Sequence, residues 1–201
     1  MGVIGLAALA VLTACGDSSR ATSPAPTRAR PAPVETAATT TTGSAAVPAG
    51  LDGTVASVTD GDTIKVRMTS GVVERVRLTG IDTPETKDPR TVVECFGREA
   101  SAETLKLLPP GTAVRLETDV ELRDRYGRLL AYVWRLPDGL FVNEALVRDG
   151  WAAPYRYPPN VKYADEISRL GAAARAANLG LWGACGGTDT PASSVPSLRR
   201  S

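Results

Sequence analysis

The chain contains no histidine, which removes the commonest general base and the commonest transition-metal ligand together. Its 23 lysines and arginines nearly cancel its 22 aspartates and glutamates, for a net charge of +1. No global field therefore announces a polyanionic partner, and any contact with one must be local. No apolar run reaches the roughly 20 residues that a membrane-spanning helix requires. What is there is 201 residues with 43% hydrophobic content, enough to bury one ordinary core in one domain. Chemistry on such a chain has to run on carboxylates, arginines or a hard cation.

The longest apolar stretch, VIGLAALAVLTAC, stands at the N-terminus and has the length of a signal-peptide h-region. Its end, Leu12-Thr13-Ala14-Cys15, has the form of a bacterial lipobox, in which Cys15 is acylated; Met1-Gly2 supplies no basic residue ahead of it. Residues 1–15 are thus expected to be a signal peptide. Residues 16–50 are Ala, Thr, Pro and Ser with scattered charges, too poor in large apolar side chains to offset the entropy of ordering. They suit a flexible tether. A polar tail occupies 187–201, which leaves 51–186 for the folded domain.

Within 51–186, Val55, Ser57 and Thr59 alternate with Ala56 and Val58. Ile64, Val66 and Met68 alternate with Lys65 and Arg67, and Val76 and Leu78 with Arg75 and Arg77. Period-two alternation predicts three strands, joined by an Asp-Gly hairpin turn in TDGDT and a second turn in TSGV. Phe96, Ala100, Thr104 and Leu107 recur at helical spacing before Pro109-Pro110 ends the run. TAVRLETD and RLLAYVWR read as two further strands. VNEALVRD reads as a short helix, and a longer one is expected from about Val161, capped by Asn160 and ending near Gly180. Three strands, a helix and two strands follow the order of a five-stranded OB-type Greek-key barrel in an α+β domain with about three helices. Spacing alone leaves other α+β arrangements open.

Five motifs narrow the choice: TDGDTIKV, RLTGIDTPET, FGREAS, DRYGRLLAYV and VNEALVRDGWA. In this order and spacing the chain resembles the staphylococcal-type thermonuclease (SNase-like) family over essentially all of 51–186. The resemblance implies a calcium-dependent endonuclease that hydrolyses DNA or RNA to 3′-phosphorylated products. It implies a metal site at Asp62, Asp82 and the backbone carbonyl of Thr83. Two carboxylates meeting at strand ends oppose each other's ionisation, and with oxygen donors and no histidine a hard ion such as calcium suits them. Glu85 matches the glutamate that activates or positions the attacking water. Arg77 and Arg128 match the arginines that clamp the phosphate, for which planar guanidinium forks are suited. Asp60 is read as support behind these groups or as turn chemistry.

The resemblance also puts Tyr155 and Tyr157 beside the substrate nucleotide, where stacking tolerates any base; core packing is the competing reading. Arg125 and Tyr126 are candidates for a terminal phosphate. With Cys15 set aside, Cys95 and Cys185 remain, and an even pair in an exported domain favours a disulfide over two free thiols. The picture is of an exported monomer, either on the outer face of the membrane and held by its lipid alone, or secreted. A noncatalytic nucleic-acid-binding OB module is the alternative, although pure binding has no need of Glu85.

Overall fold

Alternating apolar residues turn the first three strands into one antiparallel meander. In this computed structural model, residues 47–86, 94–188 and 190 are described. The expected signal peptide, the expected lipidation site Cys15 and most of the expected linker lie outside the described residues. β1 (Leu51–Asp60) pairs with β2 (Thr63–Met68), and β2 with β3 (Val73–Leu78). Val55, Val66 and Val76 face inward together with Ile64 and Leu78, each at most 2% exposed. Register shifts after Val55 and Val58 mark irregularities in β1 that help a strand bend round a closed sheet.

β4 (Ile81–Asp82) follows, then α1 (Gly97–Leu107), which returns the chain to β5 (Ala113–Glu117) beside β1. β6 (Leu129–Arg135) pairs antiparallel with β5 and, through Val76↔Leu129 to Leu78↔Ala131, parallel with β3. That second pairing shuts a five-stranded barrel of OB type. The sequence of β6 does not alternate, because both of its faces are buried. Leu129, Ala131 and Val133 join the barrel core. Tyr132 and Trp134 meet an aromatic layer, with Phe141 at 6.1 and 4.5 Å and Tyr163 at 4.7 and 6.3 Å between ring centres. β7 (Leu140–Phe141) leads into α2 (Val142–Arg148). There the buried Asn143 accepts from Val133 N at 2.9 Å and donates to Thr79 O at 2.8 Å, bolting the helix to the barrel wall. β8 (Ala153–Pro154) pairs with β4, and α3 (Ala164–Ala176) and α4 (Leu181–Cys185) bring the helices among the described residues to four.

The last third of the chain departs from expectation in instructive ways. Asn160 does not cap a helix: α3 starts at Ala164 with no side-chain cap. The Asn160 amide instead accepts from Glu121 N at 2.7 Å and donates to Glu121 O at 2.8 Å, standing in for a strand edge. α3 ends at Ala176, and Asn178 and Gly180, both at positive φ, turn the chain into the separate α4. Phe96 sits just outside α1 in a left-handed conformation, φ 70°, and its ring stacks on Trp151 at 5.2 Å. Outside residues 51–186, Val47 packs on the core, and Thr190 O accepts from Cys95 N at 2.7 Å. Cys95 and Cys185 are joined in a disulfide, Cα to Cα 5.9 Å.

Candidate active site

The β1–β2 turn carries Asp60 and Asp62, and the exit of β3 brings Arg77 beside them through the Thr63↔Arg77 register. Asp62 is the junction of this end of the barrel. Its Oδ1 accepts from Thr63 Oγ1 at 3.0 Å, and its Oδ2 from Thr83 N at 3.1 Å and Arg77 Nη1 at 2.7 Å. The second arm of the Arg77 fork reaches Asp82 Oδ1 at 2.8 Å. One guanidinium thus holds two carboxylates. Asp62 and Arg77 are nearly enclosed, whereas the Asp82 side chain is 39% exposed and opens to solvent.

Arg128 joins the same network from the other side. Gly127, at φ 74°, turns the chain so that Arg128 Nη1 approaches Thr63 Oγ1 at 3.4 Å. Asp124 fixes the aim: its Oδ2 accepts from Arg128 Nε at 2.6 Å, and its Oδ1 from the backbone N–H groups of Tyr126 and Arg128, both at 2.9 Å. Burial pushes the Asp124 carboxyl up, but the bonds from Arg128 outweigh that and hold it below its ordinary 3.8. Arg128, Thr63, Asp62, Arg77 and Asp82 form one continuous chain of polar contacts.

Asp60 lies behind this chain. Its Oδ1 accepts from Gly61 N at 2.9 Å, Thr86 Oγ1 at 2.9 Å and Ser101 Oγ at 2.8 Å. Burial raises its affinity for a proton, yet its interaction with the Glu85 carboxyl and the hydrogen bonds it accepts from Ser101, Gly61 and Thr86 leave it below 3.8. α1 therefore holds the hairpin from behind, with Thr104 Oγ1 on Gly61 O at 2.6 Å as a second tie. Gly61 has to be a glycine, because a Cβ there would lie 2.7 Å from Thr83 Oγ1. The structure brings Glu85 to Asp60, and Glu85 Oε1 also accepts from Thr86 N at 2.9 Å.

A cleft of about 650 Å³ opens on this end. Arg77, Asp82, Arg125, Tyr126, Arg128, Tyr155 and Tyr157 line it; Asp60, Asp62, Thr83 and Glu85 stand outside that lining. The rings of Tyr155 and Tyr157 are 6.3 Å apart, and Tyr155 N bonds to Gly80 O at 2.9 Å, which anchors the tyrosines beside the β3–β4 turn. Arg125 lies 4.8 Å over the Tyr126 ring and Arg128 5.4 Å from it. Sequence reasoning overlooked Thr63, Thr86, Glu94, Ser101 and Asp124. Asp124 had a readable signal, an acid four residues ahead of an arginine across a glycine turn.

The donors near Asp82 are all oxygens. The buried Thr83 hydroxyl has no hydrogen-bond partner, and among the described residues no three acid or thiol side chains converge to make a closed metal cage. Two carboxylates and a backbone carbonyl fall short of the six to eight oxygens that calcium takes. They fit an ion that completes its shell with water and substrate, as a catalytic site requires.

A sequence model of the family described as staphylococcal nuclease homologue matches residues 75–184. The chain belongs to this family. It is 47% identical over 128 residues to a thermonuclease of Staphylococcus intermedius, covering 64% of this chain and 74% of that protein. A Staphylococcus hyicus thermonuclease is 43% identical over 128 residues, 64% of this chain and 73% of its own length. The SPbeta prophage-derived endonuclease YokF of Bacillus subtilis is 42% identical over 134 residues, 66% of this chain but 44% of that protein. For a staphylococcal nuclease homologue, the arginine-laced cleft at the open end of the barrel is the place to look for chemistry.

Proposed function

We propose that this nuclease is a calcium-dependent endonuclease acting on DNA, RNA or both, and that it hydrolyses phosphodiester bonds to leave 3′-phosphorylated ends. The observation that carries the reading is the Arg77 fork, one arm on Asp62 and one on Asp82, continuous through Thr63 with Arg128 at the edge of the cleft. Asp62, Asp82 and the Thr83 carbonyl would hold calcium. Bound there, it supplies Lewis-acid polarisation of a phosphate oxygen and offsets the charge that builds at phosphorus.

The chain's own groups supply the rest. Arg77 and Arg128 present preset donors to the phosphate oxygens, and groups of this kind contribute about 10²–10³ in kcat each. Asp124 keeps the Arg128 fork from collapsing into solvent. Glu85 takes or orients the proton of the attacking water, a role that contributes about 10²–10⁴. Tyr155 and Tyr157 offer faces to the flanking bases, which suits single-stranded or frayed substrate. Arg125 and Tyr126 form the opposite rim, near a terminal phosphate.

Around this head, a signal peptide over 1–15, acylation of Cys15 and a disordered linker over 16–50 would make an exported, lipid-tethered monomer. The Cys95–Cys185 bond is compatible with such an oxidising location. The test is the full chain with denatured DNA, in calcium or in chelator, beside Glu85→Gln. Intact DNA in the calcium lane would defeat the enzymatic reading and leave a nucleic-acid-binding module.

A further inference from the structure

The position of Glu85 is set by a part of the molecule that touches neither cleft nor substrate. Glu85 N donates to Glu94 Oε2 at 2.9 Å, and Glu94 N donates back to Glu85 O at 3.0 Å. Glu94 thus satisfies both backbone groups of Glu85, one through its side chain and one through its main chain. It does not line the cleft. Next to it, Gly97 N donates to Glu94 O at 3.2 Å, and Gly97 lies flush against the Glu85 turn. A Cβ on Gly97 would stand 2.6 Å from Thr86 Cγ2, 2.9 Å from Pro84 O and 3.2 Å from Glu85 O. The residue between them, Cys95, is buried and bonded to Cys185 at the end of α4, 90 residues away. Its N–H is also taken, by Thr190 O at 2.7 Å. Phe96, held left-handed, stacks on Trp151. The segment from Glu94 to Gly97 is therefore fastened to the far end of the domain on one side and to Glu85 on the other.

We propose that Glu94 is the positioning residue for Glu85, and that the Cys95–Cys185 bond holds Glu94 in register with it. The proposal rests on the role given to Glu85 above. A carboxylate accepting a backbone N–H makes a charge-assisted bond, and it fixes φ and ψ of the residue whose side chain must meet the water. Misplacement by about 1 Å can cost 10²-fold in rate. The bridge ties this geometry to redox state: a reduced protein keeps its barrel and its arginines but loosens the segment that holds the Glu85 backbone.

The experiment compares the full chain with Glu94→Ala, Glu94→Gln, Glu85→Gln, the Glu85→Gln/Glu94→Ala pair and the Cys95→Ser/Cys185→Ser pair. It follows kcat, KM and hydrogen exchange of the Glu85 amide. Glu94→Ala should lower kcat about 10- to 100-fold with KM changed less than about twofold. It should speed exchange at Glu85 N–H, and should lower kcat no further once Glu85 is already Gln. Glu94→Gln keeps an acceptor oxygen and should recover most of the rate. The serine pair should move kcat and exchange in the same direction by less. An unchanged kcat in Glu94→Ala, or an equal loss of rate in the Glu85→Gln background, would overturn the positioning role. Unaltered exchange in the serine pair would overturn the part given to the bridge. An undiminished kcat in Glu85→Gln alone would instead sink the catalytic role of Glu85, and the clamp would then stand or fall on amide exchange. Should Glu94→Ala fail to fold, Glu94→Asp, one methylene too short to reach Glu85 N, takes its place: slower kcat with faster exchange at Glu85 supports the positioning role, and unchanged kcat overturns it.

Discussion

Two enclosed carboxylates, Glu117 and Asp62, sit in the same domain at 4% and 7% exposure and meet opposite fates. Glu117 is filled: its Oε2 accepts from Trp134 Nε1 at 3.1 Å and Tyr163 Oη at 2.9 Å, and its Oε1 from Lys162 Nζ. One cation matches one anion, and Glu117 lines no part of the 650 Å³ cleft. Asp62 shares its cation with Asp82, which is partly open, next to a threonine hydroxyl that has no partner. A saturated carboxylate holds aromatic strands and a helix together. The acids Asp62 and Asp82 instead share one arginine at the edge of a cleft that Arg125 and Arg128 also line.

The contrast can be broken experimentally, and the largest effect is expected from metal removal. Chelation should take hydrolysis to background and restore it on adding calcium, while thermal stability of the Glu117 side, followed by Trp134 fluorescence, barely moves. A collapse of both would mean that the two clusters are not separate devices. Next, Arg128→Ala should lower kcat per folded molecule about 10²–10³-fold, with some loss of melting temperature because Asp124 loses its cation; an intact rate would remove Arg128 from the clamp. Asp124→Asn should weaken the same clamp indirectly, with a smaller loss of kcat that disappears in an Arg128→Ala background. On the other cluster, Glu117→Gln should cost about 1–3 kcal/mol of stability and leave kcat per folded molecule alone. Denaturant unfolding beside single-turnover rates would show any leak between the two.

The smallest effect is one of pH. The Asp124 carboxyl is held below 3.8 in the folded state, so the unfolded chain binds the proton more readily. The stability it contributes is complete above the unfolded value and is lost as pH falls through the lower folded one. The gap in melting temperature between wild type and Asp124→Asn should therefore be constant near neutrality and shrink below pH 3.8. A gap that widens in acid would reverse the sign.

The barrel was legible because alternation in β1, β2 and β3 is a local signal, and IDTPET and DRYGR sit where strands end. Asp62, Arg77, Asp82 and Arg128, named from motif order, are brought by the fold into one run of polar contacts. Glu94 and Thr63 were not legible in that way, since their value depends on partners that folding alone brings near, Glu85 for the first and Arg128 for the second. Asn160 misled for a related reason. A side-chain amide before a helical stretch looks like a cap, and nothing local says that two backbone groups of Glu121 will claim it first. Phe96 was counted with the apolar stripe of α1, yet its ring is spent on Trp151 from a left-handed backbone. Local grammar reveals elements; long-range hydrogen bonds decide which polar residues matter.

The parallel join of β3 to β6 has a consequence for the cell that makes this protein. Arg77 is synthesised well before Arg128, and the edge that unites them exists only when the strand of residues 129–135 arrives to seal the ring. A chain halted on the ribosome before that point owns its acids but cannot assemble them into a cutting tool. In this nuclease the contact of Arg128 with the Thr63–Asp62 hairpin is thus completed by the last barrel strand to be made.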